Sequence, residues 1–425
     1  MKRKNWLILS HAFNMDGRAA SQTITDKIPY LVKKGVRPQV LSTISGEKDK
    51  NIPHRQVIPW GPSGLIFDLR FLLKRQIGKG VIYKLTLFFI NVILIPFLLI
   101  EKVLFRLPSQ ASWALPSALI GIYRAKKGSI DLVYSTGGAW SGHLAGFWIW
   151  KITKVPWIVE LHDPMVSVYE LGSKRIEIRI LLWLERKISK HSTIVWWFTE
   201  EAENIARRRN KEISEKGFNA LAGANPPKFN VRYLKRSKIC FSHFGSLNVG
   251  RSLYPFLTGI NRLIESNNIN KDQIEVNIYG GQLDDESREA IRKYGLESIF
   301  MNHGRIEAND DESGRLRIMN YMAKSDVLLV MHGEDDNCKE YIPSKFFEYL
   351  YAKRPVLAYN FLNPQFKHLL KRSNCYEVSD PKYSSRIILE IIEDWKNDNL
   401  KIPSLVISTE NLVEKIIYKL DELKE

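Results

Sequence analysis

The segment Glu340 to Pro355 constrains this chain more than any other. It reads Glu-Tyr-Ile-Pro-Ser-Lys-Phe-Phe-Glu-Tyr-Leu-Tyr-Ala-Lys-Arg-Pro. An apolar run, Val327 to Met331, precedes it, and another, Val356 to Tyr359, follows. Between them Phe346, Phe347, Leu350 and Tyr351 recur at helical spacing. Strand, loop, helix and strand in that order predict a parallel α/β sheet, with the helix N-terminus at the end where such folds bind ligands. Pro343 suits the start of the helix, and Ser344 adds a hydroxyl there. The free N–H groups and the dipole make that end an anion site, and Lys345 supplies a point charge suited to phosphate. Glu340 in the loop and Glu348 on the helix flank this site. Carboxylates are unsuited to phosphate but suited to the hydroxyls of two sugars, one on each side of it.

The rest of the chain supports two α/β domains, the default at 425 residues. Trp6 to Ser10, a helix over Ala19 to Lys34, and Pro38 to Leu41 predict a βαβ opening, with Gly17 in its first loop. Ile130 to Tyr134 and Trp157 to Leu161 continue the sheet. His143 opens a helix, and His162-Asp163 stands at a strand's carboxyl end. Thr199-Glu200-Glu201 predicts a capped helix start. Ala222 to Lys238 is expected to cross between domains. In the second domain, the strand Ile239 to Phe244 runs into Gly245-Ser-Leu-Asn-Val-Gly250-Arg251. Glycines let backbone amides approach a diphosphate there, and Arg251 can clamp it bidentately. The three-glycine dinucleotide fingerprint is absent. Cys240, Cys338 and Cys375 are scattered, which predicts neither a zinc site nor a disulfide framework and fits a reducing cytoplasm.

The net charge of +17 asks for an anionic partner. No nucleic-acid-binding motif is present, so nucleic acid is disfavoured. From Gly61 to Ser129 there are ten Lys and Arg against only Asp68 and Glu101. Leu85 to Ile100 within it is apolar apart from Thr86 and Asn91, is interrupted by Pro96, and is shorter than the about twenty residues of a spanning helix. A buried core helix is one reading. The favoured one is a membrane-docking segment with basic residues near anionic headgroups.

The string Pro343-Ser344-Lys345, Glu348-Tyr349-Leu350 and Arg354-Pro355-Val356-Leu357-Ala358, with Glu340 and Glu348 eight positions apart, resembles the retaining, family 4-like glycosyltransferases (glycosyl transferases group 1) of GT-B architecture. The resemblance implies two Rossmann-like domains facing across a cleft: residues 1–223 for the acceptor, with the membrane-docking segment at about 61–129, and residues 224–405 for a nucleotide sugar. A final helix within 406–425 is expected to return to the first domain. It further implies that Glu340 contacts the transferred sugar and Glu348 the ribose. Arg251, Lys345, Ser344 and Gly245 would surround the diphosphate, Gly17 would let donor and acceptor approach the first loop's backbone, and Arg305 and Ile306 would present backbone to the base. His162 would touch the sugar, and His143 and Asp163 the sugar or acceptor. The family's glycine-rich first loop is reduced here to Gly17, and its phosphate Arg–Lys pair to Arg251.

The expected enzyme is a hexosyltransferase that needs no metal or cofactor. No Asp-x-Asp tripeptide of the metal-dependent kind is present. The expected partners are a nucleotide-diphosphate sugar, a lipid-linked or saccharide acceptor, and the anionic inner face of the cytoplasmic membrane. The expected setting is surface-polysaccharide assembly in the cytoplasm. A sugar-nucleotide epimerase or hydrolase on the same fold, or an inactive membrane scaffold, are the alternatives.

Overall fold

A computed structural model describes residues 4–15, 18–104, 109–167, 170–213, 215–227, 231–248, 250–307 and 312–423. The chain divides into two compact units: residues 1–221 with 412–425, and residues 222–411. Each is an α/β unit around one parallel sheet.

The first unit's strands are β1 (Lys4–Leu9), β2 (Val36–Ser42), β3 (His54–Gln56), β4 (Leu132–Thr136), β5 (Trp157–Leu161), β6 (Ile194–Trp197) and β7 (Gly217–Asn219), in spatial order 3-2-1-4-5-6-7. All ladders are parallel. Strands buried on both faces explain why these runs are continuously apolar rather than alternating. The order reverses between β1 and β4, which marks the ligand-binding crevice of such a sheet. Its helices are α1 (Ala19–Thr25), α2 (Ile28–Lys33), α3 (Pro62–Ile77), α4 (Val81–Leu104), α5 (Ala114–Lys126), α6 (Trp140–Thr153), α7 (Ile176–His191) and α8 (Glu200–Arg209).

Two features differ from the sequence-based expectation. The helix expected over Ala19 to Lys34 is two helices, because Pro29 cannot donate to a preceding turn and opens α2 instead. Lys27 in the break is fully buried. The apolar run expected to be short and broken is one 24-residue helix, with Pro96 inside it. An interior proline costs about 3 kcal/mol, which the roughly four turns before Pro96 and two after it absorb. Nor is that helix a core element: Phe88 is 61% exposed and Ile93 66%. The Thr199 hydroxyl caps α8 by accepting from the Ala202 amide at 3.3 Å.

The second unit repeats the order. Strands β8 (Ile239–Gly245), β9 (Ile274–Gly280), β10 (Phe300–Gly304), β11 (Val327–Met331), β12 (Val356–Tyr359) and β13 (Tyr376–Val378) lie as 10-9-8-11-12-13, all parallel. Around them pack α9 (Tyr254–Glu265), α10 (Asp285–Lys293), α11 (Gly314–Lys324), α12 (Ser344–Ala352), α13 (Pro364–Arg372) and α14 (Ser384–Lys396). The order reverses between β8 and β11, so Gly245 and the loop after Met331 stand at this sheet's crevice. The closing helix, α15 (Thr409–Glu422), returns to the first unit. Its Leu412, Val413, Ile416 and Leu420 join a core with Trp6, Ile8 and Leu31.

Candidate active site

In the second unit the two crevice loops are pressed backbone to backbone. Gly333, at φ +87°, has no room for a side chain, since a Cβ would lie 2.0 Å from the Gly250 carbonyl oxygen. Only glycine combines that φ with that approach. The loop leading to α12 is pinned from outside by Asn363, whose amide donates to the carbonyls of Cys338 and Tyr341, both at 2.9 Å. His332 Nε2 meets the Tyr341 carbonyl at 2.8 Å. Burial lowers the His332 pKa to about 4, which keeps the ring neutral.

On this frame Arg251 is half-buried; its Nε donates to the Tyr341 hydroxyl at 3.0 Å, and its guanidinium lies 4.8 Å from that ring's centre. Tyr341 therefore aims the cation, a role that sequence reasoning missed. Its place one residue after Glu340, inside the motif, was the available signal. Gly245 ends β8 at φ +138°.

Pro343 is the N-cap of α12 and Ser344 its first residue, with no side-chain cap on the terminal amides. Glu340 is buried just before it, at the end of the 3-10 turn Asp336–Lys339. Glu348 is also buried, although it lies away from the phenylalanine face. Its carboxylate accepts from Lys345 Nζ at 2.6 Å, and Arg315 Nη2 stands 3.6 Å away. Arg315 at the start of α11 is a second cation beside Glu348 that sequence reasoning missed, because nothing in the sequence ties the two together. Glu348 also borders a cavity of about 610 Å³ lined by Met319, Met322, Tyr351, Arg354 and Pro226. Arg305 is exposed and Ile306 half-buried after β10. Arg317 holds the following carbonyl, that of Glu307, at 2.6 Å, so this turn is tied to the helix that carries Arg315.

In the first unit, the ends of β1 and β4 border a cavity lined by Ser10, His11, Arg18, Phe67, Thr136 and Gly138. Gly17 lies outside the described residues. His162 is held by Glu160: its Nε2 donates to Oε1 at 2.9 Å. In a neutral ring that leaves Nδ1 as the acceptor. Glu160 also accepts from Lys27 (2.6 Å), Tyr134 (2.8 Å), Thr136 (2.6 Å) and Trp196 (3.1 Å). Burial alone would raise its pKa, but Lys27 and His162 outweigh burial and hold it well below the usual carboxylate range. Sequence reasoning missed Glu160; one carboxylate inside an apolar parallel strand was the signal. Asp163 is exposed. His143 is fully enclosed, with Nδ1 2.9 Å from the Ser135 hydroxyl and Nε2 3.3 Å from the Gly137 carbonyl. Burial lowers its pKa to about 4. Both its nitrogens serve the β4–α6 turn, so the ring positions that turn.

No protein-family model matches the chain, and no curated protein matches its sequence. Solved structures do match over its full length. HepE of Anabaena in complex with UDP and glucose superposes with a TM-score of 0.60 at 12% identity, covering 99% of this chain and 100% of that one. Sucrose-phosphate synthase from Thermosynechococcus elongatus gives 0.58 at 12% identity, covering 99% and 98%. A glycosyltransferase from Rickettsia africae gives 0.55 at 14% identity, with 100% of both chains covered. The fold is that of the GT-B glycosyltransferases.

Proposed function

We propose that the chain transfers a sugar from a nucleotide-diphosphate sugar to a hydroxyl of a saccharide or lipid-linked acceptor. One observation carries the reading. A buried carboxylate, Glu348, lies beside Lys345 and near Arg315 on a helix that starts at the crevice of a parallel sheet. Glu348 accepts hydrogen bonds from the ribose hydroxyls. Arg251, Lys345 and the α12 N-terminus take the diphosphate, with Gly245 leaving room for its approach. The turn at Arg305 and Ile306 serves the base, and the UDP held by HepE supports a uridine nucleotide as the first to test.

Negative charge builds on the diphosphate as it leaves. Fixed positive charge already aimed at it lowers the barrier, with no reorganisation at the moment of reaction. Glu340 grips hydroxyls of the transferred sugar as its anomeric carbon becomes oxocarbenium-like. His162, oriented by Glu160, offers Nδ1 to the sugar or acceptor side. The acceptor attacks from the face the diphosphate leaves, giving retention, and the cations named supply the charge stabilisation without a metal. The setting is polysaccharide assembly.

Titration with UDP, GDP and ADP tests the donor assignment. The wild-type chain binds one of them, and Glu348→Ala weakens that binding about ten- to a hundredfold, the worth of a hydrogen bond to a charged group. Unchanged affinity removes the ribose assignment. Glu340→Ala lowers turnover far more than nucleotide affinity. Donor consumed at full rate without any acceptor would replace transfer by epimerisation or hydrolysis.

A further inference from the structure

The outward face of α4 has no counterpart in the chemistry above. Residues 81–103 form the one helix among the described residues that is long and apolar enough to cross a membrane. The whole of α4, 24 residues, is about 36 Å long at 1.5 Å per residue. The half-buried positions are Tyr83, Thr86, Leu87, Ile90, Asn91, Leu94 and Leu98, spaced three and four apart. They form one stripe, and it holds the helix's uncharged polar side chains. Thr86 and Asn91 satisfy themselves on carbonyls one turn back, each at 2.8 Å. Tyr83 donates to the Arg70 carbonyl of α3. The opposite face is exposed and, from Leu85 to Ile100, wholly apolar, with Phe88, Phe89, Val92, Ile93 and Phe97 among its side chains. The helix is inside out for water: polar groups are on the stripe that includes the α3 contact, and large apolar groups face outward. A soluble monomer rarely exposes so much contiguous apolar surface.

Charge shows what covers it. Between Pro62 and Leu104 the acidic residues are Asp68 and Glu101, both buried. Every exposed charge on this hairpin is therefore positive: Arg70, Arg75, Lys79, Lys84 and Lys102. Lys84 and Lys102 bracket the apolar face at its two ends. An anionic lipid leaflet matches both features, apolar face to hydrocarbon and cations to headgroups.

The hairpin's geometry selects how the helix sits. At one end the Glu101 carboxylate accepts from the amide and hydroxyl of Ser63, both at 2.8 Å, in the first turn of α3. At the other a three-residue turn, 78–80, joins α4 to α3. Both ends of α4 thus return to one helix. That helix carries Asp68, Arg70, Lys74 and Arg75 along its length and cannot follow α4 through hydrocarbon. We infer that α4 lies in the plane of an anionic membrane, its outward face immersed in one leaflet, with α3 as the polar platform behind it. Phe67 on α3 lines the first unit's crevice cavity, so the immersed hairpin sets that cavity beside the lipid surface.

Flotation of the purified full chain with vesicles tests this. Wild type floats with phosphatidylcholine–phosphatidylglycerol vesicles and less with phosphatidylcholine alone. The triple variant Phe88→Glu, Ile93→Glu, Phe97→Glu loses at least about a hundredfold in partitioning. These side chains point outward, so the variant keeps its circular dichroism and nucleotide affinity. Lys84→Glu with Lys102→Glu loses the preference for anionic vesicles. Spin labels on Val81→Cys and Val103→Cys, in a Cys375→Ser background, are both reduced by an impermeant reagent added outside. Either label protected by the far leaflet overturns the in-plane placement. Wild type that stays unbound, or that hides this face in a soluble dimer by sedimentation, overturns the membrane itself. Nucleotide titration is a separate readout, so failure here leaves the donor assignment standing, and the reverse.

Discussion

Single residues show how burial and charge are balanced. Glu160 and Lys27 are both fully buried, and the pair is completed by four further donors to the carboxylate. Removing one partner strands the other charge in the core, which costs about 3–5 kcal/mol. We expect Glu160→Gln to lower stability by that order in urea unfolding, and Lys27→Met added to it to restore part of the loss. Asp68 behaves oppositely. It is buried in α3 with neither carboxylate oxygen hydrogen-bonded, and burial raises its pKa to about 7, slightly opposed by Thr43. Unfolded, it titrates near 3.8. A raised carboxyl favours folding only while protonated, so its penalty is absent below pH 4 and grows until pH passes about 7. Asp68→Asn should therefore stabilise the chain at pH 8, by on the order of 3 kcal/mol, and leave it nearly unchanged at pH 4. Equal melting shifts at the two pH values would refute the account.

At the scale of elements, the site depends on two loops that share one backbone contact. Adding a methyl group at Gly333 drives it into the Gly250 carbonyl and strains a φ of +87°. Gly333→Ala should separate the loops, weaken nucleotide binding at least tenfold, and cost about 1–3 kcal/mol. Gly281→Ala, where a Cβ meets open space, is the matched control. Much of this was legible in the sequence. The apolar runs on either side of α12 predicted its strands, and the Thr199 cap predicted the start of α8. Pro96 makes the α4 segment look short in the sequence; a single missing donor is minor beside the surrounding helical bonds. The fate of its faces was not legible, because periodicity identifies an apolar stripe but not whether protein or lipid covers it.

For the whole molecule, pH should act through both units and a nucleotide through the second alone. His11, His143, His243 and His332 are buried, and burial lowers each to about 4, from 6.5 in the unfolded chain. Between those values the unfolded chain binds more protons. Stability is therefore complete above about pH 6.5 and falls as pH drops towards 4, by on the order of 3 kcal/mol for each ring that must charge. Melting temperature from pH 7.5 to 4.5 measures it; a flat profile would exclude buried neutral imidazoles. A nucleotide at a hundred times its Kd adds about 2.7 kcal/mol to whatever unfolds with its site. If the second unit melts separately, only its transition should move.

Local patterning settled the alternation of strands and helices, the doubled α/β organisation and the motif from Glu340 to Pro355, because buried parallel strands and capped helices leave continuous apolar runs and turn residues in the chain. Partners distant in sequence were decided only in three dimensions: Glu160 on Lys27 and His162, Arg315 near Glu348, Tyr341 under Arg251, Gly333 against Gly250. The direction in which α4 turns its apolar face belongs with them. Those pairings arise from sheet order and close packing, which bring together residues that no periodicity links, and a charge inside an apolar strand gives no sign of its partner until the fold has closed around it.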